Sequence, residues 1–305
     1  MGSLARYLDP EVIRQVSRLD LRARFIVEGF MAGLHRSPFQ GLSTEFSEHR
    51  KYVQGDDLRA IDWNVFARTD RVYVRKYQAE THLDCHLLVD ASASMGYVGE
   101  ARGRKDTERA GKLDYAIHLA AALGYLVTRQ QDAIGLGVLG EGLKTMLPPR
   151  SRRSDLVQLL ATLAAIKPAG KTGLAAGMHE ALHRIPHRGV IVVLSDLLTD
   201  TDATLQALHH ARFRGHDLIV MHILDVAEVE FPFDGTVRLE DPESHMVLEA
   251  AADGVREGYI RALNAWRDEL RDQIAALKGD YVALDTSMKF DKALVEFLVQ
   301  RSRRR

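Results

Sequence analysis

The chain has 305 residues, 46% of them hydrophobic, enough for one large domain or two modest ones around a packed core. Its 41 basic and 42 acidic residues nearly cancel, so no bulk charge points to nucleic acid, and the Arg301-Ser302-Arg303-Arg304-Arg305 end reads as a solvated tail. A single cysteine, Cys85, excludes an internal disulfide framework; no stretch approaches the roughly 18 apolar residues of a membrane span and no signal-peptide core opens the chain, so a cytoplasmic location is expected.

After Asp9-Pro10, the residues Val12, Val16, Leu19, Ala23, Ile26 and Phe30 recur at three- and four-residue intervals, predicting a helix over 10–31 with an arginine-rich solvated face. Residues 41–80 are dense in charge, aromatics and turn formers, and Gly55-Asp56-Asp57 reads as a turn whose aspartates cap a following helix. The alternation in Val72-Tyr73-Val74-Arg75-Lys76-Tyr77 predicts a strand, and the short link at Glu80-Thr81 predicts that it pairs antiparallel with the strand at 83–90.

That next strand, Cys85-His86-Leu87-Leu88-Val89, ends in Asp90-Ala91-Ser92-Ala93-Ser94, with oxygen-bearing side chains at alternate positions. An apolar run of this kind suits a buried parallel strand, and the loop at its carboxyl end is where open α/β sheets bind ligands. A polar segment, 97–111, precedes a strong helix over 112–129. Strands at 132–138 and 143–147, a helix over 155–166 capped by Ser154, a helix over 173–185, a strand at 190–195, a helix over 202–213 and a strand at 217–224 continue the alternation, implying a mostly parallel sheet covered on both faces. Past Asp225 the rhythm changes to a hairpin around Asp241-Pro242-Glu243-Ser244, a long helix with Val255, Tyr259, Leu263, Trp266, Leu270, Ile274 and Leu277 on one face, a strand at 281–285 and a helix over 289–300.

Two further polar residues follow apolar runs or turn glycines in the same fashion: Thr172 in Gly170-Lys171-Thr172-Gly173 and Asp196 after Val190-Ile191-Val192-Val193-Leu194-Ser195. With Asp90, Ser92 and Ser94 they form a three-loop set of oxygen donors suited to a hard cation, Mg2+ or Mn2+. The order D-x-S-x-S, then Thr, then Asp resembles the metal-ion-dependent adhesion site (MIDAS) of von Willebrand factor type A domains. The run from Glu45 to Trp63, including Glu48, Arg50, Gly55, Asp56, Asp57, Arg59, Asp62 and Trp63, with Arg68 beyond it, is similar to the signature of the bacterial family catalogued as domain of unknown function 58, over roughly residues 35–225.

The resemblance implies a doubly wound, Rossmann-like von Willebrand A domain over 81–305 with a hairpin-helix insertion at about 228–278, preceded by a signature module over 1–80. No general base or nucleophile is evident among the oxygen donors, so recognition rather than catalysis is expected. Ser92, Ser94 and Thr172 would ligate the metal directly, Asp90 and Asp196 partly through water, and the open position would take an acidic side chain of a partner. The implied partner is a MoxR-type AAA+ ATPase, a client protein, or both.

Three other motifs compete. Ala165-Ile166-Lys167-Pro168-Ala169-Gly170-Lys171-Thr172 approaches a phosphate-binding loop, which with Asp196 would make a Mg-dependent nucleotide or phosphate hydrolase, but the sequence predicts a helix before it rather than a strand. His179-Glu180-Ala181-Leu182-His183 has the letters of a zinc-protease helix, yet the apolar positions Leu174, Met178, Ala181, Leu182 and Ile185 turn both histidines to its flank. An aspartyl-phosphate role for Asp90 would need a second carboxylate where Ser92 stands.

Overall fold

In the computed structural model, which describes residues 49–51, 73–75, 84–99 and 111–290, the alternating pattern becomes an α/β fold whose sheet is mostly parallel. Six strands, β3 (Asp84–Asp90), β4 (Ile134–Leu139), β5 (Leu143–Arg150), β6 (Gly189–Ser195), β7 (Asp217–Leu224) and β10 (Asp280–Asp285), lie in the order β10-β7-β6-β3-β4-β5. All neighbours are parallel except β4 and β5, a hairpin whose register shifts between Ile134 and Leu136, where Pro148 and Pro149 interrupt the edge strand. From β3 the chain winds first to one side, through β4 and β5, and then returns to β6 on the other. The carboxyl ends of β3 and β6 therefore flank a topological switch point, the place where such sheets open a crevice.

Every residue of β4 and β6 is buried, as two-sided covering requires. One face packs Leu88, Ile191, Val193, Leu218 and Val220 against α3 (Leu174–Arg184), α4 (Thr201–Phe213) and α6 (Ala252–Ala276), with Met178, Leu182, Leu208, Leu270 and Ile274 completing the layer. Alternation along the strands turns Leu87, Val89, Val192 and Leu194 to the opposite face. There α1 (Lys112–Arg129) lies against β3, β4 and β7 and packs on α2 (Arg153–Ala164). Leu- and Ala-rich α1 has Asp114 in its first turn and Arg129 in its last, both favourable to the helix dipole. The α2 helix begins earlier than expected: Arg152 is the N-cap without a side-chain bond, and Ser154 lies inside the first turn.

A short helix, α5 (Val226–Glu230), opens with a capping box between Asp225 and Glu228 and leads to a hairpin of β8 (Thr236–Glu240) and β9 (Val247–Ala251). The expected hairpin, long helix and final strand thus all occur. The strand pairing expected at 72–77 does not. β2 (Tyr73–Arg75) pairs antiparallel with β1 (His49–Lys51), within a compact unit spanning Leu34–His82, and both flanks of β3 are taken by β4 and β6. Local alternation identified the strand but carries no information on its partner. The helices expected over 10–31 and 289–300, most of the 41–80 signature and most of the 97–111 segment lie outside the described residues, as does the boundary at 80. Among the described residues, no helix is long and apolar enough to cross a membrane.

Two buried histidines give the fold a pH dependence. Burial, with His216 nearby, lowers His86 to about 4, and among the described residues neither of its ring nitrogens has a hydrogen-bond partner. Burial, with Arg267, lowers His222 to about 3, although its Nδ1 lies 2.5 Å from the Tyr281 hydroxyl. Both are neutral when folded and take up protons on unfolding below about pH 6.5, so the stability they contribute is present above that pH and is lost as pH falls toward 4. Urea unfolding should show this loss, and His86→Leu should flatten it by about 3 kcal/mol at pH 4. An unchanged profile in the variant would assign the acid sensitivity elsewhere.

Candidate metal centre at the switch point

The β3 strand stops because Asp90 captures its own chain. Its Oδ1 accepts the Ser92 N–H at 2.9 Å, bending the backbone into the 3-10 turn Ala93–Gly96. The hydroxyls of Ser92 and Ser94 come within 3.1 Å of each other. From the neighbouring strand, Ser195 donates its hydroxyl to Asp90 Oδ2 at 2.6 Å and accepts the Leu197 N–H at 3.0 Å. Ser195 was read only as the end of an apolar run; its place directly before Asp196 was the one available signal that it faces the crevice.

Asp196 repeats the Asp90 device, its Oδ1 accepting the Leu198 N–H at 3.1 Å, and the intervening Leu197 takes a left-handed φ of 54°. Its Oδ2 receives the Lys112 ammonium at 2.8 Å. Lys112, the first residue of α1, is fully buried and also donates to Glu228 Oε1 at 2.7 Å. The sequence reading missed both Lys112 and Glu228.

The third loop is attached through its backbone. Ala169 N–H bonds to Ala91 O at 3.1 Å, Ala93 N–H to Gly170 O at 3.0 Å, and Gly173 N–H to Gly140 O at 2.8 Å, while Lys144 Nζ bridges the carbonyls of Ala91 and Ala169. The turn glycines have conformational reasons: Gly170 sits at φ +80°, and a Cβ on Gly173 would fall 2.2 Å from the Glu141 carbonyl oxygen. Thr172, half-buried near the end of this loop, donates both its N–H (2.8 Å) and its hydroxyl (2.5 Å) to the carboxylate of Glu243. The loops carrying all five expected residues therefore meet, although Thr172 is engaged by the hairpin.

Asp90, Ser92 and Asp196 are fully or almost fully buried. Loss of hydration, reinforced by repulsion from Asp196, raises the Asp90 carboxyl to about 6 despite its hydrogen bonds. Asp196 and Glu228 share the Lys112 ammonium, and Asp90 lies close enough to Asp196 to be repelled by it, so the linked groups carry two formal negative charges when all are ionised. A divalent cation fits that deficit. Lone pairs remain on both aspartates, since each oxygen has two and accepts one bond here. The donors are hard oxygens, as Mg2+ or Mn2+ prefers. Among the described residues no group of three or more His, Cys, Asp or Glu surrounds a common point, so any cation here would depend on the hydroxyls as well as on the two aspartates.

The competing motifs have other local explanations. The 165–172 loop follows α2 rather than a strand, and the Thr172 and Gly173 amides are already bonded to Glu243 and Gly140. On α3, His183 Nδ1 lies 2.7 Å from the His179 carbonyl oxygen, His179 lies 3.2 Å from His210, and Glu180 points back to the Leu143 amide.

The protein-family model described as "Protein of unknown function DUF58" matches residues 48–269. Uncharacterized proteins of Mycobacterium bovis and Mycobacterium tuberculosis are each 30% identical over 299 residues, covering 97% of this chain and 91% of their own. Among solved structures, BatB from Bacteroides thetaiotaomicron aligns with a TM-score of 0.48 and 21% identity, covering 72% of this chain and 99% of its own. An aerotolerance-related membrane protein from Bacteroides fragilis aligns with a TM-score of 0.45 and 20% identity, over 69% and 96% of the two chains.

Removing one partner of a buried ion pair leaves the others unmatched in a medium that solvates them poorly. Lys112→Ala should therefore lower unfolding free energy by about 3–5 kcal/mol. Adding Glu228→Gln should recover part of that loss, because the two changes act on one network. Chemical denaturation of the single and double variants checks both; strict additivity would mean that the two groups do not communicate.

Proposed function

We propose that this chain, which belongs to the DUF58 family, is a divalent-cation-dependent protein-recognition module built on a von Willebrand A-type domain. The observation that carries the reading is the pair of buried carboxylates, Asp90 and Asp196, at adjacent strand ends, with the Ser92 and Ser94 hydroxyls beside them. In this reading Ser92, Ser94 and Thr172 bind Mg2+ or Mn2+ directly, while Asp90 and Asp196 hold it partly through water. When bound, the cation supplies a Lewis-acidic point at the mouth of the crevice. This chain's own residues orient it: Ser195 fixes the Asp90 carboxylate, Lys112 fixes Asp196, and the Ala91–Ala93 and Ala169–Gly170 backbones hold two loops in register.

Recognition is the reading preferred over hydrolysis because both aspartates are assigned to holding the ion: each carboxylate oxygen is oriented by one hydrogen bond from this chain and keeps its remaining lone pair for the ion or its water. An ion held mainly by neutral hydroxyls stays electron-poor and attracts an outside carboxylate, which fits a partner presenting Asp or Glu. The family resemblance supports a MoxR-type AAA+ ATPase as that partner, with the pair acting on a client in chaperone-like assembly or activation. This part of the reading rests on analogy of fold and motif. A native-extract pull-down with wild type and Asp90→Ala, each with and without chelator, tests it: retention of the ATPase that ignores both perturbations would refute the metal-dependent contact.

Isothermal calorimetry should detect one Mg2+ or Mn2+ per chain, and Ser92→Ala should weaken it at least tenfold while the fold persists. Because the proton held by Asp90 competes with the cation, affinity should fall as pH drops below about 6, by up to about tenfold per unit. Titrations from pH 7.5 to 5 measure the slope; a flat profile would remove Asp90 from the ion's surroundings.

A further inference from the structure

Glu243 sits at the tip of the β8–β9 hairpin, 71 residues from Thr172, and its two carboxylate oxygens accept the Thr172 N–H and hydroxyl. Its position is prepared locally. Asp241 accepts the amides of Glu243 (2.9 Å) and Ser244 (3.3 Å) and the Ser244 hydroxyl, folding the turn beneath it. The base of the hairpin is held separately: Ala252 N–H bonds to Gly235 O at 2.7 Å, and Arg256 reaches the carbonyls of Phe231 and Phe233 and the carboxylate of Asp234. Among the described residues, the two bonds from Thr172 are the only hydrogen bonds between the tip and the rest of the domain. A two-stranded hairpin is marginally stable alone, so these bonds decide whether the tip is docked or free.

Neighbouring ligands of an octahedral Mg2+ or Mn2+ lie about 3 Å apart, given metal–oxygen distances of about 2.1 Å. Glu243 Oε1 stands 2.5 Å from the Thr172 hydroxyl oxygen, within reach of a neighbouring coordination position, while Oε2 accepts the Thr172 N–H at 2.8 Å, an amide bond that orients the carboxylate without itself ligating. We infer that Glu243 is an internal ligand of the cation site: its carboxylate takes the coordination position that a partner's carboxylate would use, and the hairpin must swing away before a partner can bind. The inference rests on the metal-site reading above. It adds the residue that occupies the open position and makes access to the site competitive. Both carboxylates would accept the same hydrogen bonds from Thr172 and carry the same charge, so exchange conserves bonds and the docked and bound states stay close in free energy.

The test uses the full chain, loaded with Mn2+, as wild type, Glu243→Ala and Glu243→Gln. Calorimetry reports whether Mn2+ binds, and water-proton relaxation reports how many exchangeable waters the bound ion keeps. Glu243→Ala should raise relaxivity per bound ion by about half, as about two inner waters become about three. Acetate, used as a free carboxylate, should reverse that rise at a concentration at least tenfold lower than it needs to act on wild type. Hydrogen exchange should show Mg2+ slowing the hairpin amides of wild type several-fold, with no such effect in Glu243→Gln. If all three proteins bind Mn2+ with equal relaxivity, the ligand role of Glu243 is wrong and the metal site stands. If none binds Mn2+, the metal site falls and the ligand role falls with it.

Discussion

Two carboxylates held out of water at the end of adjacent strands set the terms for the rest of this domain. Asp90 and Asp196 each turn the following residues back on themselves through an amide bond, and each needs a second donor from a distant part of the chain. Ser195 supplies the hydroxyl for one and Lys112 the ammonium for the other. Because a buried carboxylate without such partners costs several kcal/mol, the first residue of α1, the end of β6 and the capping box of α5 are bound to one another through charge. The apolar layers make the sheet stable; this network fixes which loops gather at its carboxyl edge.

Much of the architecture was legible because its signals are local. The α1 helix and β7 strand run over the residues their pattern predicts, since eighteen residues of Leu- and Ala-rich periodicity, and an apolar run after Asp217 broken only by His222, admit few alternatives. The loops of Asp90, Ser92, Ser94, Thr172 and Asp196 were equally legible, as polar residues where apolar runs end. Lys112 was not. A lysine opening a helix is ordinarily solvated, and its partners Asp196 and Glu228 lie 84 and 116 residues away, beyond any periodic signal. The Glu243–Thr172 contact was hidden for the same reason, and the pairing of Tyr73–Arg75 with His49–Lys51 because alternation marks a strand without choosing its neighbour.

The motifs that misdirect are also instructive. Glycines at 170 and 173 look like a phosphate cradle in one dimension. In three dimensions one supplies a left-handed turn and the other makes room for a carbonyl, and together they let Thr172 reach the hairpin. Histidines at 179 and 183 fall four apart on a helix whose buried stripe is apolar, so they share a flank by arithmetic rather than by a common centre.

One edge of the sheet carries a different lesson. In β5 the residues Pro148 and Pro149 lack amide hydrogens, and they occupy the stretch where the register with β4 slips. An incoming strand from another molecule would meet a broken row of donors there, and a second register shift, at Lys144, interrupts the other end of the strand. The chain thus carries its own guard against growing sideways into a larger sheet, a hazard that an open six-stranded layer otherwise presents to every neighbour in a crowded solution.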